Sequence, residues 1–118
     1  MKRQIIASML FAFSTVVFVS SAAVAAAGVD ADAAKALAKR NDCFKCHALD
    51  KTKKGPSYKK IAAKYKGKAE GEEKLITNFT TGPKVKLEDG TEEEHKVIDT
   101  KDMKEMKNLA QWILSLDK

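Results

Sequence analysis

The sequence predicts a small, mostly helical domain, and three observations point that way. Apolar residues recur at three- and four-residue spacing in four separate stretches. Glycine and proline fall between those stretches and not inside them. Alternation of the kind a half-buried strand needs is confined to one short segment, 84–98.

The first helix is expected to run to Arg40 from Asp30 or Asp32, either of which can cap its N-terminus. Ala33, Ala34, Leu37 and Ala38 recur along it at helical spacing. The second opens after Gly55-Pro56 with Ser57 as N-cap, carries Tyr58, Ile61, Ala62 and Tyr65 on one face, and stops at Gly67. The third covers roughly 72–79, where Leu75, Ile76 and Phe79 share a face, and Gly82-Pro83 breaks it. From Lys84 to Ile98, Val85 and Leu87 alternate with lysines and Asp89-Gly90 is a turn signal, so a short hairpin or an irregular loop is expected. In the last helix Met103, Met106, Leu109, Ala110, Ile113, Leu114 and Leu116 form one stripe, with Asp99 or Thr100 able to cap its start.

The chain of 118 residues is long enough for one domain, and its first part is read as something else. Lys2 and Arg3 precede an apolar stretch from Ile5 to Val19, and small residues from Ser20 to Ala27 follow, with an Ala-x-Ala step at Ala25 and Ala27. That order describes a secretory signal peptide, 1–27, with cleavage expected between Ala27 and Gly28 and the domain spanning 28–118. The alternative is a retained membrane anchor. The apolar core is short for a spanning helix, so no stable membrane insertion is expected once the leader is removed. The remaining domain is marginal in size and thin in large apolar residues, which calls for something extra in its interior, such as a metal or cofactor.

The formal charge is +6, and loss of Lys2 and Arg3 lowers it by two. Acidic residues are interspersed throughout, which argues against nucleic acid as a partner of an exported protein. Weak steering towards an acidic protein partner fits better, as does a lysine-rich surface kept for solubility.

Chemistry concentrates at Cys43-Phe44-Lys45-Cys46-His47, a C-x-x-C-H sequence of the kind that attaches haem c. Two intervening residues let both sulfurs reach the vinyl positions on one haem edge as thioethers, and the histidine that follows then lies beneath the iron. Other readings of the pair are weaker. A structural zinc site needs about four ligands, and the chain offers one further histidine and no further cysteine. A redox-active C-x-x-C would follow a strand in a βαβ pattern, which is absent here. A plain disulfide between Cys43 and Cys46 suits an oxidising compartment but leaves His47 and the thin core unexplained.

With this motif in place, the chain resembles the small class I bacterial cytochromes c over almost all of residues 28–118. The resemblance rests on the alanine-rich helix leading into Cys43, on Lys54-Gly55-Pro56-Ser57-Tyr58 continued by Ile61-Ala62-Ala63-Lys64-Tyr65-Lys66-Gly67, and on the ending from Leu109 to Leu116 around Trp112. It implies a class I cytochrome c fold of about four helices around one covalently bound haem, with the first and last helices crossing over one side of it. It also implies that the carbonyl of Pro56 accepts a hydrogen bond from the other nitrogen of His47; read without the family, Pro56 is a helix-starting turn. The implied function is periplasmic single-haem electron transfer with redox protein partners, by a monomer and not an enzyme. Lys45, Lys51, Lys53, Lys54, Lys59 and Lys60 could surround the haem edge and steer acidic partners.

The family usually supplies a methionine as second axial ligand from a loop before the last helix. This chain has no methionine there and carries Glu92-Glu93-Glu94-His95-Lys96 instead. His95 falls within about one residue of the family's methionine, counting back from Trp112, and is the favoured distal ligand; the other reading is an exposed histidine among glutamates. Met103 is the alternative, if the last helix begins later than expected, and Met106 lies a turn further in. Both methionines also fit that helix's apolar stripe. An open or water-bound iron completes the options. Two histidine ligands would set a lower potential than histidine with methionine. A displaceable His95 would allow a second function, reversible binding of a small gas or ligand. No acid–base residue other than His95 is placed to support catalysis.

Overall fold

Asp30 starts the first helix, α1 (Ala31–Arg40), by accepting a hydrogen bond from the Ala33 N–H at 3.0 Å, while Asp32 stands in the first turn, where its charge suits the positive helix end. The computed structural model describes residues 28–117, so the expected leader and its cleavage point lie outside the described residues. After α1 the chain reverses through Asp42, whose φ of 59° is left-handed, into a single 3-10 turn, Cys43–Lys45. The Ser57 hydroxyl accepts from the Lys60 N–H at 3.1 Å and starts α2 (Tyr58–Tyr65) as expected.

Helix α3 (Gly71–Thr81) is longer than the apolar spacing indicated. Its last turn is polar, and the hydroxyls of Thr80 and Thr81 donate to the carbonyls of Ile76 and Thr77 at 2.6 and 2.7 Å, so no apolar stripe marks it. Gly82, at φ +62°, then ends the helix in the left-handed region. Segment 84–94 is a hairpin and not an irregular loop. Strands β1 (Lys84–Lys86) and β2 (Glu92–Glu94) pair antiparallel, Lys84 opposite Glu94 and Lys86 opposite Glu92, so opposite charges face each other at both ends.

The start of α4 (Met103–Leu114) differs from expectation: its cap is Asp102, which accepts from the Lys104 N–H at 2.8 Å. Asp99 and Thr100 are already engaged. The Asp99 carboxylate accepts from Arg40 Nε at 3.0 Å and Asn41 Nδ2 at 3.1 Å, and both hold its carboxyl below the usual range. Its N–H donates to Asn41 Oδ1 at 2.9 Å. Thr100 donates its hydroxyl proton to Glu105 and accepts from the Asp102 N–H. Those bonds tie the entry of α4 to the end of α1.

Helix α4 is the hub: α1, α2 and α3 all pack against it. Ala34, Ala38 and Ala110 have no exposed surface, so small side chains let α1 and α4 approach closely where they cross. Leu37, Tyr58, Leu109, Trp112 and Ile113 fill the space around that crossing, each large side chain contributing about 1.5–3 kcal/mol by its burial. Four helices and one hairpin make the described residues mostly helical, as expected, and no described helix is long and apolar enough to cross a membrane.

Candidate haem-binding site

The 3-10 turn decides what the two cysteines can do. With three residues per turn, Cys43 and Cys46 come to the same side, held by the bonds from the Cys46 and His47 N–H groups to the Cys43 carbonyl at 3.2 and 2.9 Å. Both are free thiols, half-buried, and both line one cavity. Burial pushes the Cys43 thiol above its ordinary range. Among the described residues no group of three or more His, Cys, Asp or Glu is arranged to hold a bare metal ion.

His47 is oriented by Pro56, whose carbonyl oxygen lies 2.6 Å from Nδ1. A carbonyl can only accept, so Nδ1 carries the proton and Nε2 keeps its lone pair. Burial moves the His47 pKa down more than the Pro56 carbonyl moves it up, which keeps the ring neutral and able to bind a metal. Two residues assigned no site role from the sequence complete this side. Gly55 donates its N–H to the Cys46 carbonyl at 2.9 Å, and a Cβ there would stand 2.8 Å from His47 Cε1. Tyr58 stacks on the His47 ring at 5.3 Å and 23°, and is itself held edge-on by Phe44 and Trp112. Its position on the apolar face of α2 signalled only a core residue.

His95 follows β2 directly. Its N–H donates to the Pro83 carbonyl at 2.9 Å, and its Nδ1 donates to the Lys96 carbonyl at 3.0 Å, leaving Nε2 open here too. The His47 and His95 rings face each other with centroids 6.1 Å apart and planes at 41°. Two imidazoles on opposite sides of one metal ion, with ~2 Å metal–nitrogen bonds, place their ring centres about 6 Å apart. Cys43, Cys46, His47, Pro56 and His95 thus converge on one cavity. Met103 is 51% exposed and Met106 is buried in the core; neither lines the cavity, although α4 does begin as late as a Met103 ligand would require.

That cavity measures about 970 Å³, at the upper end of ligand sites. Ile61, Tyr65, Leu75, Phe79, Leu109 and Ile113 supply apolar walls, and Val85 and Leu87 extend them from the hairpin. A flat macrocycle fits this donor set: two thiols on one turn, two facing imidazoles and an apolar slot. Of the six lysines expected around it, Lys45, Lys54 and Lys60 line the cavity. Lys45 pairs with Asp42 at 3.2 Å, and Lys53 donates to the Phe44 carbonyl at 2.7 Å. Asp42 also reaches Lys96 at 3.6 Å, so one carboxylate joins the attachment turn to the residue after His95.

The chain is similar to known proteins over most of the described residues. The family model described as cytochrome c matches residues 31–117. Cytochrome c-551 of Pseudomonas aeruginosa is 33% identical over 90 residues, covering 76% of this chain and 83% of that protein. Cytochrome c-551 of Allochromatium vinosum is 37% identical over 46 residues, covering 39% of this chain and about half, 49%, of the relative. Among solved structures, the class 1 cytochrome MtoD from Sideroxydans lithotrophicus ES-1 superimposes with a TM-score of 0.73 at 59% identity, covering 76% of this chain and 99% of that one.

Proposed function

Because this chain belongs to the cytochrome c family, whose haem c is attached covalently through a C-x-x-C-H sequence such as Cys43–His47, we propose that it is a periplasmic single-haem electron carrier with His47 and His95 as axial ligands. The observation that carries the ligand assignment is the pair of facing imidazoles, 6.1 Å apart, each with its Nδ1 proton given to a backbone carbonyl. The chemistry that bound haem supplies is a one-electron ferric–ferrous couple.

The chain's own residues do the rest. Pro56 fixes the tautomer and plane of His47, and the hydrogen bond raises the basicity of the ligating nitrogen. Tyr58 backs the imidazole, and burial keeps its phenol protonated, far above its ordinary 10.0. Side chains from α2, α3 and α4 give the cavity apolar walls. His47 and His95 would hold the haem iron, and each ring is already fixed by a backbone carbonyl, so the protein groups would have little to rearrange. Two histidines place this carrier towards the reducing end of its family. Export is supported by the leader read in 1–27, and the processed chain is expected to begin at Gly28 in a periplasmic fraction.

The carrier reading is tested by mixing the reduced protein with carbon monoxide. A closed coordination sphere predicts slow or negligible binding; rapid binding would favour a gas-binding protein with a displaceable His95. Partner steering has its own test. Replacing Lys54 and Lys60 with glutamine is expected to slow electron exchange with an acidic redox protein at low salt and to flatten its ionic-strength dependence. An unchanged rate and salt slope would remove the steering role.

A further inference from the structure

The placement of His95 depends on a residue that does not line the cavity. Phe79 and Leu75 anchor α3 in the core, and the helix ends at Gly82 with φ +62°. The returning chain lies back over that end. The His95 N–H donates to the Pro83 carbonyl and the Ile98 N–H to the Phe79 carbonyl, both at 2.9 Å, and Ile98 is 3% exposed. Between those two bonds the chain passes directly over Gly82. A Cβ built there would meet the His95 carbonyl oxygen and Val97 Cγ2, each at 3.0 Å. That is tighter than a normal contact, and one of the two neighbours is backbone, which cannot rotate away.

We propose that Gly82 is a positioning residue for the distal ligand: the missing side chain at the α3 C-cap sets how deeply His95 stands in the cavity, and so how firmly it holds the iron. This rests on the reading of His95 as the distal ligand. The hairpin 84–94 leaves and re-enters the fold at the Pro83–His95 junction, so this corner is where the distal segment is anchored to the helical core. Any side chain at 82 presses on the 95–97 backbone and so shifts His95 relative to His47.

The same φ at another glycine gives the control. Gly67 sits at +71° with nothing within 4 Å of a built Cβ, so Gly67→Ala carries the left-handed strain without touching His95. Both variants are prepared as holoprotein, and their thermal midpoints, ferric spectra and rates of carbon monoxide binding to the reduced form are compared. Gly82→Ala is expected to bind carbon monoxide about tenfold faster than the parent, because the fraction with His95 detached rises. Its ferric spectrum should gain a high-spin component, while Gly67→Ala loses stability only. If Gly82→Ala gives no holoprotein, Gly82→Asn is read in its place, since asparagine tolerates the left-handed region but still bears a Cβ. Equal ligand kinetics in the position-82 and position-67 variants would overturn the proposal. A methionine-type or high-spin spectrum in the parent protein would instead remove the His95 reading on which it stands.

Discussion

Replacing His95 with alanine should convert the ferric protein from low-spin to high-spin and open the distal side to carbon monoxide. The substitution removes the imidazole whose ring centre stands 6.1 Å from that of His47 and leaves a gap in the cavity wall. Among the described residues no methionine is placed to fill it: Met103 is 51% exposed and Met106 is packed in the core. The rate of carbon monoxide binding to the reduced protein should rise by about a hundredfold or more, because the binding-competent fraction goes from small to complete. Added imidazole should restore the low-spin spectrum. His95→Met should instead keep a low-spin iron and raise the potential, since a thioether favours the ferrous state. Stopped-flow mixing and redox titration read these outcomes, and an alanine variant that stayed low-spin without added imidazole would place the ligand elsewhere.

The second large effect is expected on the opposite side, at Gly55. A methyl group there would stand 2.8 Å from His47 Cε1 and 3.1 Å from Nδ1. The ring has nowhere easy to go, because Tyr58 is stacked against it and Pro56 holds its proton. Gly55→Ala is therefore expected to cost about 1–3 kcal/mol by overpacking. Displacing the ring also weakens the Nδ1 hydrogen bond, lowers the basicity of the ligating nitrogen and raises the reduction potential. Thermal unfolding and a redox titration of the same preparation test both parts; a destabilised protein with an unmoved potential would show that the clash is absorbed by the backbone and not by His47.

Much of this was legible from side-chain pattern alone. The apolar stripe from Met106 to Ile113, the Ser57 cap and the C-x-x-C-H run each carry their meaning locally. What was not legible depended on partners distant in sequence. Three short polar residues, Asp99, Thr100 and Asp102, can all cap α4, and the choice among them is made by Arg40 and Asn41 at the end of α1, which occupy Asp99. The hairpin was ambiguous because Glu92-Glu93-Glu94 shows no alternation; its register comes from Lys84 and Lys86 across the pair. Counting from Trp112 located His95 near the family's ligand position, but its orientation follows from the Pro83 carbonyl and from the bare Gly82 beneath it. Tyr58 read as one more core residue, since nothing in its spacing reveals that it stacks on the His47 ring.

The most direct test of the central claim is the near-infrared magnetic circular dichroism spectrum of the purified ferric protein, which reports the axial pair through its ligand-to-iron charge-transfer band. The account predicts a low-spin spectrum with the band at the energy of two imidazoles. A band at the methionine energy would contradict it and bring Met103 to the iron, and a high-spin spectrum would leave the distal position open.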